Sequence, residues 1–335
     1  MAQYFAFLLD DKVVFMESAI SALLQCINEN KKSIILTTHK NPDGDGLGCM
    51  FAMGEMLERR KHEVHYVLGA PVKEHYAGVF PLGKMTYNKP DIPADSLLLS
   101  FDCSSPDIIS LPEGMNLKEY DCINIDHHVS NLYAARINVV ASELASCCEL
   151  VFDILCRMNE HITPDMATAL YAGLLFDTGR FAYSARPECF QVAASLLKCG
   201  ARHWDVFNAL YRHDTLNHFK TNAKLINSLQ HYKNLPLIYL HITEDFVKQV
   251  DVEESEDLVN YISNIKDLEI LAVFRFIDEN TTKISLRSRG RYSVSDLALS
   301  LGGGGHAKAA GAVVNMLITE ASEKVLGLLE QIICA

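Results

Sequence analysis

Three short, continuously apolar runs in this chain each end in acidic or imidazole side chains, and no other feature constrains the fold as much. SIILTT (residues 33–38) leads into His39, Asp43 and Asp45 of TTHKNPDGDGLG, SLLLSF (96–101) into Asp102, and CINI (122–125) into Asp126, His127 and His128. Unbroken apolar runs of this length fit strands covered on both faces in a parallel sheet. A lone Asp after a strand is ordinarily a turn or helix-cap residue, and Asn, Pro, Asp and Gly are common in solvated turns. Three parallel strands, however, would deliver such residues to one sheet edge, where open α/β folds bind ligands. Asp177, in GLLFDTGRF at the end of an apolar helix, is a fourth candidate, although by itself it reads as a cap beside Gly179.

The rest of the pattern supplies the connections. Met16, Ala19, Ile20, Leu23, Leu24 and Ile27 recur at helical spacing ahead of the first run. A helix over 47–60 and a strand over 63–68 then complete a βαβ unit. Helices follow over 143–159, 164–176 and 187–199, with Gly200 as a C-terminal cap. A more polar helical stretch, 201–232, carries His203, His213, His218 and Lys220. Beyond it, PLIYLHI, EILAVFRF and TKISLRS alternate with short helices and one glycine run. The expected organisation is α/β: a parallel-sheet, Rossmann-like domain over 1–195, a linker helix region over 196–215, and a smaller α+β domain with a mixed sheet over 216–335.

A mixed set of carboxylates and imidazoles suits Mn²⁺ or Mg²⁺ better than structural zinc, which favours Cys. A calcium loop starting at Asn41 is excluded, because its twelfth position is Ala52 and not Glu. Four Asp side chains in one small volume would repel each other and any anionic substrate, and two divalent cations would cancel that charge. Two metals about 3.5–4 Å apart can clamp the attacking and leaving oxygens of a phosphoryl transfer and lower the pKa of a bound water from about 15.7 to about 7. The glycines at 44, 46 and 48 are expected to provide tight turns that aim the carboxylates.

A second informative stretch, residues 285–312, contains SLRS and GGGGHAKAAGA. Gly303, Gly304 and Gly305 would let backbone amides approach a phosphate, with His306 and Arg287 adding charge-assisted contacts. The spacing is not that of a nucleotide P-loop. Arg289 and Arg291 read as solvated cations with a possible substrate role. His62, His65, His75, His161 and His241 have no partner spacing, and Trp204 and the tyrosines offer no evident stacking ladder.

The formal net charge of −12 argues against a grip on long nucleic acid, which needs many cations along the phosphates. It leaves short anions open. The N-terminal apolar stretch is broken at once by Asp10, Asp11 and Lys12, which makes it a poor signal peptide, and no run is long enough to span a bilayer. None of the ten cysteines forms a CxxC pair, so reduced, buried thiols in a cytoplasmic protein are expected.

These motifs, in order, resemble the DHH phosphoesterase family, within it the group that joins a DHH domain to a DHH-associated domain, as in NrnA-like oligoribonucleases and pAp phosphatases. HKNPDGDGLG is similar to the first motif, SFDCSSPD to the second, IDHHVSN to the third, LLFDTGRF to the fourth, and SLRS with GGGGHAKAAGA to the associated domain. Cys49 departs from the small hydroxyl residue common at its position. The resemblance implies that His39, Asp43 and Asp102 hold one metal and that Asp45, Asp102, His127 and Asp177 hold the other. It leaves open which of His127 and His128 ligates. It also implies that His128 faces the scissile phosphate, that Asp126 orients its neighbours, and that Arg287, Gly303, Gly304, Gly305 and His306 bind the far end of the substrate. The implied activity is two-metal, Mn²⁺-dependent hydrolysis of short oligoribonucleotides, dinucleotides and 3′,5′-bisphosphonucleosides by in-line attack of a metal-bridging hydroxide. Cyclic dinucleotides, pyrophosphate or polyphosphate are alternative substrates, and a non-catalytic nucleotide sensor is the rival from another class. The implied partners are the short substrate and, as an option, a second copy of the chain, with no long nucleic acid and no membrane.

Overall fold

The computed structural model describes residues 11–30, 32–92, 96–182, 186–212, 215–248, 258–259, 261–262 and 264–334. The first ten residues and His213 therefore lie outside the described residues, as does the side chain of His306. The chain divides into two compact units, Met1–His213 and Asp214–Ala335.

In the first unit the apolar runs form the centre of a six-stranded sheet. Its strands are β1 (Ile34–Thr37), β2 (Val64–Val67), β3 (Met85–Thr86), β4 (Leu97–Phe101), β5 (Asp121–Asp126) and β6 (Ile137–Val140), in the order β3-β2-β1-β4-β5-β6. Every pairing is parallel. β1 and β4 are buried along their whole length. Their alternate residues serve two cores: Ile34, Leu36, Leu97 and Leu99 face the larger one, and Ile35 and Leu98 face a smaller one with Val67 and Tyr120. Each fully buried Leu or Ile contributes roughly 1.5–3 kcal/mol, so these runs are stable only as covered strands. After β1 the chain turns to β2 and β3 on one side and then crosses to β4 on the other. The sheet order thus reverses between β1 and β4, where α/β sheets open a crevice at the strand ends.

Helices α1 (Asp11–Glu29), α2 (Gly44–Arg59), α3 (Cys147–Arg157) and α4 (Pro164–Asp177) follow. α2 begins at Gly44, three residues before the expected start, because Asp43 caps it: its carboxylate Oδ1 accepts from the backbone N–H groups of Asp45 and Gly46 at 2.9 and 3.1 Å. Glycines 44, 46 and 48 consequently lie in a helix and do not form turns. Their role is close approach: a Cβ at Gly48 would lie 2.5 Å from the Ala169 carbonyl oxygen of α4, and one at Gly46 would lie 2.0 Å from Thr38 Oγ1.

Two further helices, α5 (Pro187–Lys198) and α6 (His203–Tyr211), belong to this unit, although residues 196–215 were expected to link the domains. Leu196, Val206, Ala209 and Leu210 are part of its core. Gly200 has φ +98°, as a helix C-terminal cap requires.

The second unit contains α7 (Leu216–Asn227), α8 (Glu244–Val247), α9 (Ser295–Ser300) and α10 (Ile318–Cys334). Its sheet comprises β7 (Gln230–His231), β8 (Leu237–Ile242), β9 (Ile270–Asp278), β10 (Thr281–Ser288), β11 (Gly304–His306) and β12 (Ala309–Val314). The order is β11-β12-β10-β9-β8-β7, with β8 and β9 parallel and the other pairs antiparallel, so the sheet is mixed.

Candidate active site

All eight DHH-type candidates lie at the carboxyl edge of the first sheet or on helices that end there. His39 follows β1 and is held by a bridge to Ile109. Asp102 follows β4 in a left-handed backbone conformation, φ +57°, with its N–H donating to the Ile125 carbonyl at 2.9 Å. A non-glycine residue in that region costs roughly 1–3 kcal/mol and is retained where surroundings or function demand it. Asp126 ends β5, and Asp177 ends α4.

Two groups of side chains meet around Asp102. On one side, His39 Nε2 lies 3.4 Å from Asp43 Oδ2 and 3.6 Å from Asp102 Oδ2. On the other, His127 Nε2 lies 3.0 Å from Asp177 Oδ2, 3.4 Å from Asp102 Oδ1 and 3.9 Å from Asp45 Oδ2. The His127 Nδ1 atom faces the Leu144 carbonyl at 3.3 Å, which directs Nε2 toward the carboxylates. His128 also borders Asp102, its Nδ1 lying 3.5 Å from Asp102 Oδ1, and with Asp102 and His127 it forms a third group of ligand atoms within 4.8 Å of one another. Its Nδ1 is 2.7 Å from Asp126 Oδ1, and its side chain is 42% exposed where that of His127 is 14% exposed. Asp126 is fully buried, and Asn131 Nδ2 donates to its Oδ2 at 2.6 Å.

Asp45 is held in a way that motif spacing does not disclose. It is fully buried, and its two oxygens accept the backbone N–H groups of Cys147 (2.6 Å) and Cys148 (2.9 Å) at the start of α3. A carboxylate at a helix N-terminus satisfies orphan amides and meets the positive end of the helix dipole. Ser146 caps the same helix, its Oγ accepting from the Glu149 N–H, while Glu149 Oε2 accepts from the Ala145 N–H.

The electrostatics favour added positive charge. Burial alone would lower the pKa of His39, but hydrogen bonds to Asp102 and Asp43 outweigh it and raise it to about 10. For His127, burial is likewise overcome by Asp102 and Asp177, giving about 12. Burial would raise the Asp102 pKa, yet the same two imidazoles hold it well below the ordinary carboxylate range. Asp45 is pushed up by burial and by repulsion from Asp177 and Asp102, and Asp177 by burial and then by Asp102 and Asp43. The hydrogen bond to Asp126 raises His128.

A divalent ion fits this donor set. Buried Asp102 Oδ1 has no hydrogen bond of proper geometry, although imidazole nitrogens lie 3.4 and 3.5 Å away. The ligand atoms of His39, Asp43 and Asp102, and separately those of Asp45, His127 and Asp177, lie within 4.8 Å of one another. Carboxylate and imidazole donors are those of Mn²⁺ and Mg²⁺ sites.

The second-unit candidates form their own group. Arg287 on β10 pairs in register with Ala309 on β12, and β11, which holds Gly304, Gly305 and His306, pairs with the same strand. Gly305 has φ +133°, and a Cβ at Gly303 would lie 2.0 Å from the Gly311 carbonyl oxygen, so both glycines are needed for the hairpin itself. Arg289, expected to be solvated, donates to the Ile265 carbonyl at 2.6 Å. Arg291 lies over the Tyr292 ring, 5.4 Å from its centroid.

Residues 33–174 match the DHH family, N-terminal domain, and residues 234–334 match the DHHA1 domain. The chain is 29% identical over 299 residues to the bifunctional oligoribonuclease and PAP phosphatase NrnA of Thermus thermophilus, covering 88% of each chain. It is 25% identical over 300 residues to the protein of that name from Bacillus subtilis, covering 84% of this chain and 89% of the relative. Among solved structures, an exopolyphosphatase-related protein from Bacteroides fragilis superposes with a TM-score of 0.83 at 22% identity, covering 95% of this chain and 98% of that one. The exonuclease RecJ bound to manganese shares the fold at a TM-score of 0.52 and 14% identity, with 93% of each chain covered.

Proposed function

As a member of the DHH family, with a DHH domain followed by a DHHA1 domain, the chain is expected to hydrolyse phosphoesters, and we propose that its substrates are short oligoribonucleotides, dinucleotides and 3′,5′-bisphosphonucleosides such as pAp. The observation that carries this reading is the double cluster around Asp102. In it, His39 and Asp43 would hold one divalent ion, Asp45, His127 and Asp177 would hold a second, and Asp102, which lies beside both imidazoles, would contribute to both. Manganese is the proposed ion. Bound there, two such cations supply an acidified water and offset the charge of the phosphate.

The protein's own groups do the remaining work. Asp45 is fixed by the α3 amides and cannot swing away when a ligand leaves. His128 is the exposed imidazole at the edge of the cage, and with Asp126 holding its Nδ1 it presents the opposite nitrogen to a substrate phosphate, as a proton donor or a positive charge. Asp126 and Asn131 keep that ring oriented from beneath. Arg287 and the segment 303–306 are proposed to hold the substrate's other end. The first-unit cage sets the reaction; the second unit is proposed to set the preference for short, end-phosphorylated molecules.

The test is hydrolysis of a short RNA and of pAp with added Mn²⁺, against Asp102→Ala. The wild type should cleave both, and the variant should lose the metal-dependent rate by several orders of magnitude. Full metal-dependent turnover in Asp102→Ala would overturn the assignment. Cleavage of polyphosphate or pyrophosphate alone would transfer it to the other substrate class.

A further inference from the structure

Helix α6 carries an aromatic stripe that no step above uses. The rings of Trp204, Phe207 and Tyr211 follow one another along one side of it, with centroid separations of 6.0 and 5.5 Å. The Trp204 side chain is 62% exposed. Two guanidinium groups sit on these rings: Arg212 lies 5.2 Å from the Phe207 centroid and 5.6 Å from that of Trp204, and Arg180 lies 4.6 Å from that of Tyr211. Among the described residues neither arginine pairs with a carboxylate. In a chain of net charge −12, two cations left to aromatic rings are unusual partners for anything but an anion.

The stripe leads to the cage. Tyr171 on α4 meets His203 at the start of α6, OH to Nδ1 at 3.0 Å, and Tyr211 at its end donates to the Leu175 carbonyl at 3.0 Å. The two helices therefore run in the same direction, and the last ring of the stripe reaches the end of α4 that bears Asp177. Arg180 stands three residues beyond Asp177, in a turn where Gly179, Arg180 and Phe181 all have left-handed backbones, φ +54°, +61° and +66°. Two non-glycine residues held there mark a segment fixed by its surroundings. The Arg180 N–H donates to the Leu175 carbonyl and the Phe181 N–H to Thr178 Oγ1, which pins the turn.

We propose that Trp204, Phe207 and Tyr211, with Arg180 and Arg212, form a track for the bases and phosphates of a short single-stranded oligonucleotide whose reacting phosphate lies in the cage. Base-on-ring stacking with interleaved arginines is how proteins hold single strands without reading sequence. Charge selects this occupant, because an apolar protein face would gain nothing from two guanidinium groups that pair with no carboxylate among the described residues. The proposal rests on the phosphodiesterase reading and extends it. Trp204 lies at the end of α6 away from Tyr211 and Asp177, so under this proposal a pentanucleotide engages it and a mononucleotide held in the cage does not.

Trp204 is the single tryptophan, so its fluorescence reports the track directly. On rapid mixing with Mn²⁺-loaded protein, a five-nucleotide RNA should quench it saturably before cleavage, while pAp should not. Trp204→Ala should raise KM for the pentanucleotide about tenfold relative to KM for the dinucleotide, equivalent to about 1.4 kcal/mol. Trp204→Phe, which keeps a stacking ring, should restore most of that ratio. Equal quenching by pAp, or a pentanucleotide that is cleaved without quenching Trp204, would overturn the track while leaving the phosphodiesterase reading intact. Failure to cleave any of these RNAs in Mn²⁺ would overturn that reading instead. If Trp204→Ala converts a dimer to a monomer in sedimentation and leaves the KM ratio unchanged, the stripe binds a second copy of the chain and the proposal is wrong.

Discussion

Gly173→Ala isolates the packing that fixes Asp45. Gly173 lies in α4, and a Cβ built there would fall 2.3 Å from Cys148 Sγ, 2.6 Å from Asp45 Oδ1 and 2.9 Å from Asp45 Cα. Ordinary contacts of this kind begin near 3.4 Å, so α2, α3 or α4 must retreat by most of an ångström. Overpacking of a close-packed core costs about 1–3 kcal/mol, and the helix propensity gained by Ala returns about 1 kcal/mol. The net loss is up to about 2 kcal/mol, or a Tm lower by up to about 8 °C for a unit of this size. The larger effect should fall on catalysis: Asp45 is the group displaced, and a misplacement of about 1 Å can cost on the order of 100-fold in rate. The paired control is Gly327→Ala in α10, where an added Cβ meets nothing within 4 Å. That change should leave activity intact and stabilise the chain by up to about 1 kcal/mol. Thermal melting and Mn²⁺-dependent turnover of both variants provide the assay. A Gly173→Ala protein that melts no lower than wild type and turns over at the full rate would refute the claim that α2–α4 contact positions Asp45.

Four other outcomes are expected. Metal uptake should release protons, because His39 and His127, raised to about 10 and about 12 without metal, must lose their protons to ligate; apparent Mn²⁺ affinity should therefore climb with pH through the neutral range, and calorimetry in buffers of different ionisation enthalpy should count up to two protons. The same raised values stabilise the metal-free fold fully below the unfolded imidazole pKa of about 6.5 and progressively less as pH rises toward about 10, so the Tm in EDTA should fall over that window. Saturating Mn²⁺ at 100 times its Kd should add about 2.7 kcal/mol, read as a Tm increase that EDTA abolishes. Asn131→Ala strips a 2.6 Å hydrogen bond from the buried Asp126 carboxylate, which should destabilise the chain by about 1–3 kcal/mol and lower kcat more than it changes KM, since His128 loses its support; an unchanged kcat would remove Asp126 from that role.

The strand runs were legible because burial on both faces leaves an unmistakable pattern: Ile34 to Leu36 and Leu97 to Leu99 could pack in few other ways. The placing of Asp102 and of Asp126 to His128 followed from the parallel order alone. The environment of Asp45 was not legible, since its partners are backbone amides of α3, and amides have no sequence signature. The glycines of the first motif were misread as turn formers for a related reason. A local pattern reports that Gly is tolerated, but only the tertiary structure shows Ala169 and Thr38 pressed against it. The α6 stripe has no counterpart in the sequence pattern, where Trp204 and the tyrosines show no stacking ladder, because the order of residues does not disclose that Trp204, Phe207 and Tyr211 lie ring beside ring. Helical spacing and the two arginines make them a surface.

The capture of Asp45 by α3 also bears on how the protein matures. The two amides that hold this carboxylate are supplied 102 and 103 residues later in the chain, and Asp177 later still. A nascent chain that has produced β1, β4 and β5 already carries His39, Asp43, Asp102 and His127, yet it lacks the second half of the cage until α3 and α4 emerge and dock. With the proposed ligands, full metal loading would follow completion of the first unit's fold, and a ribosome-bound fragment ending before α3 should bind metal weakly and leave nearby RNA uncut.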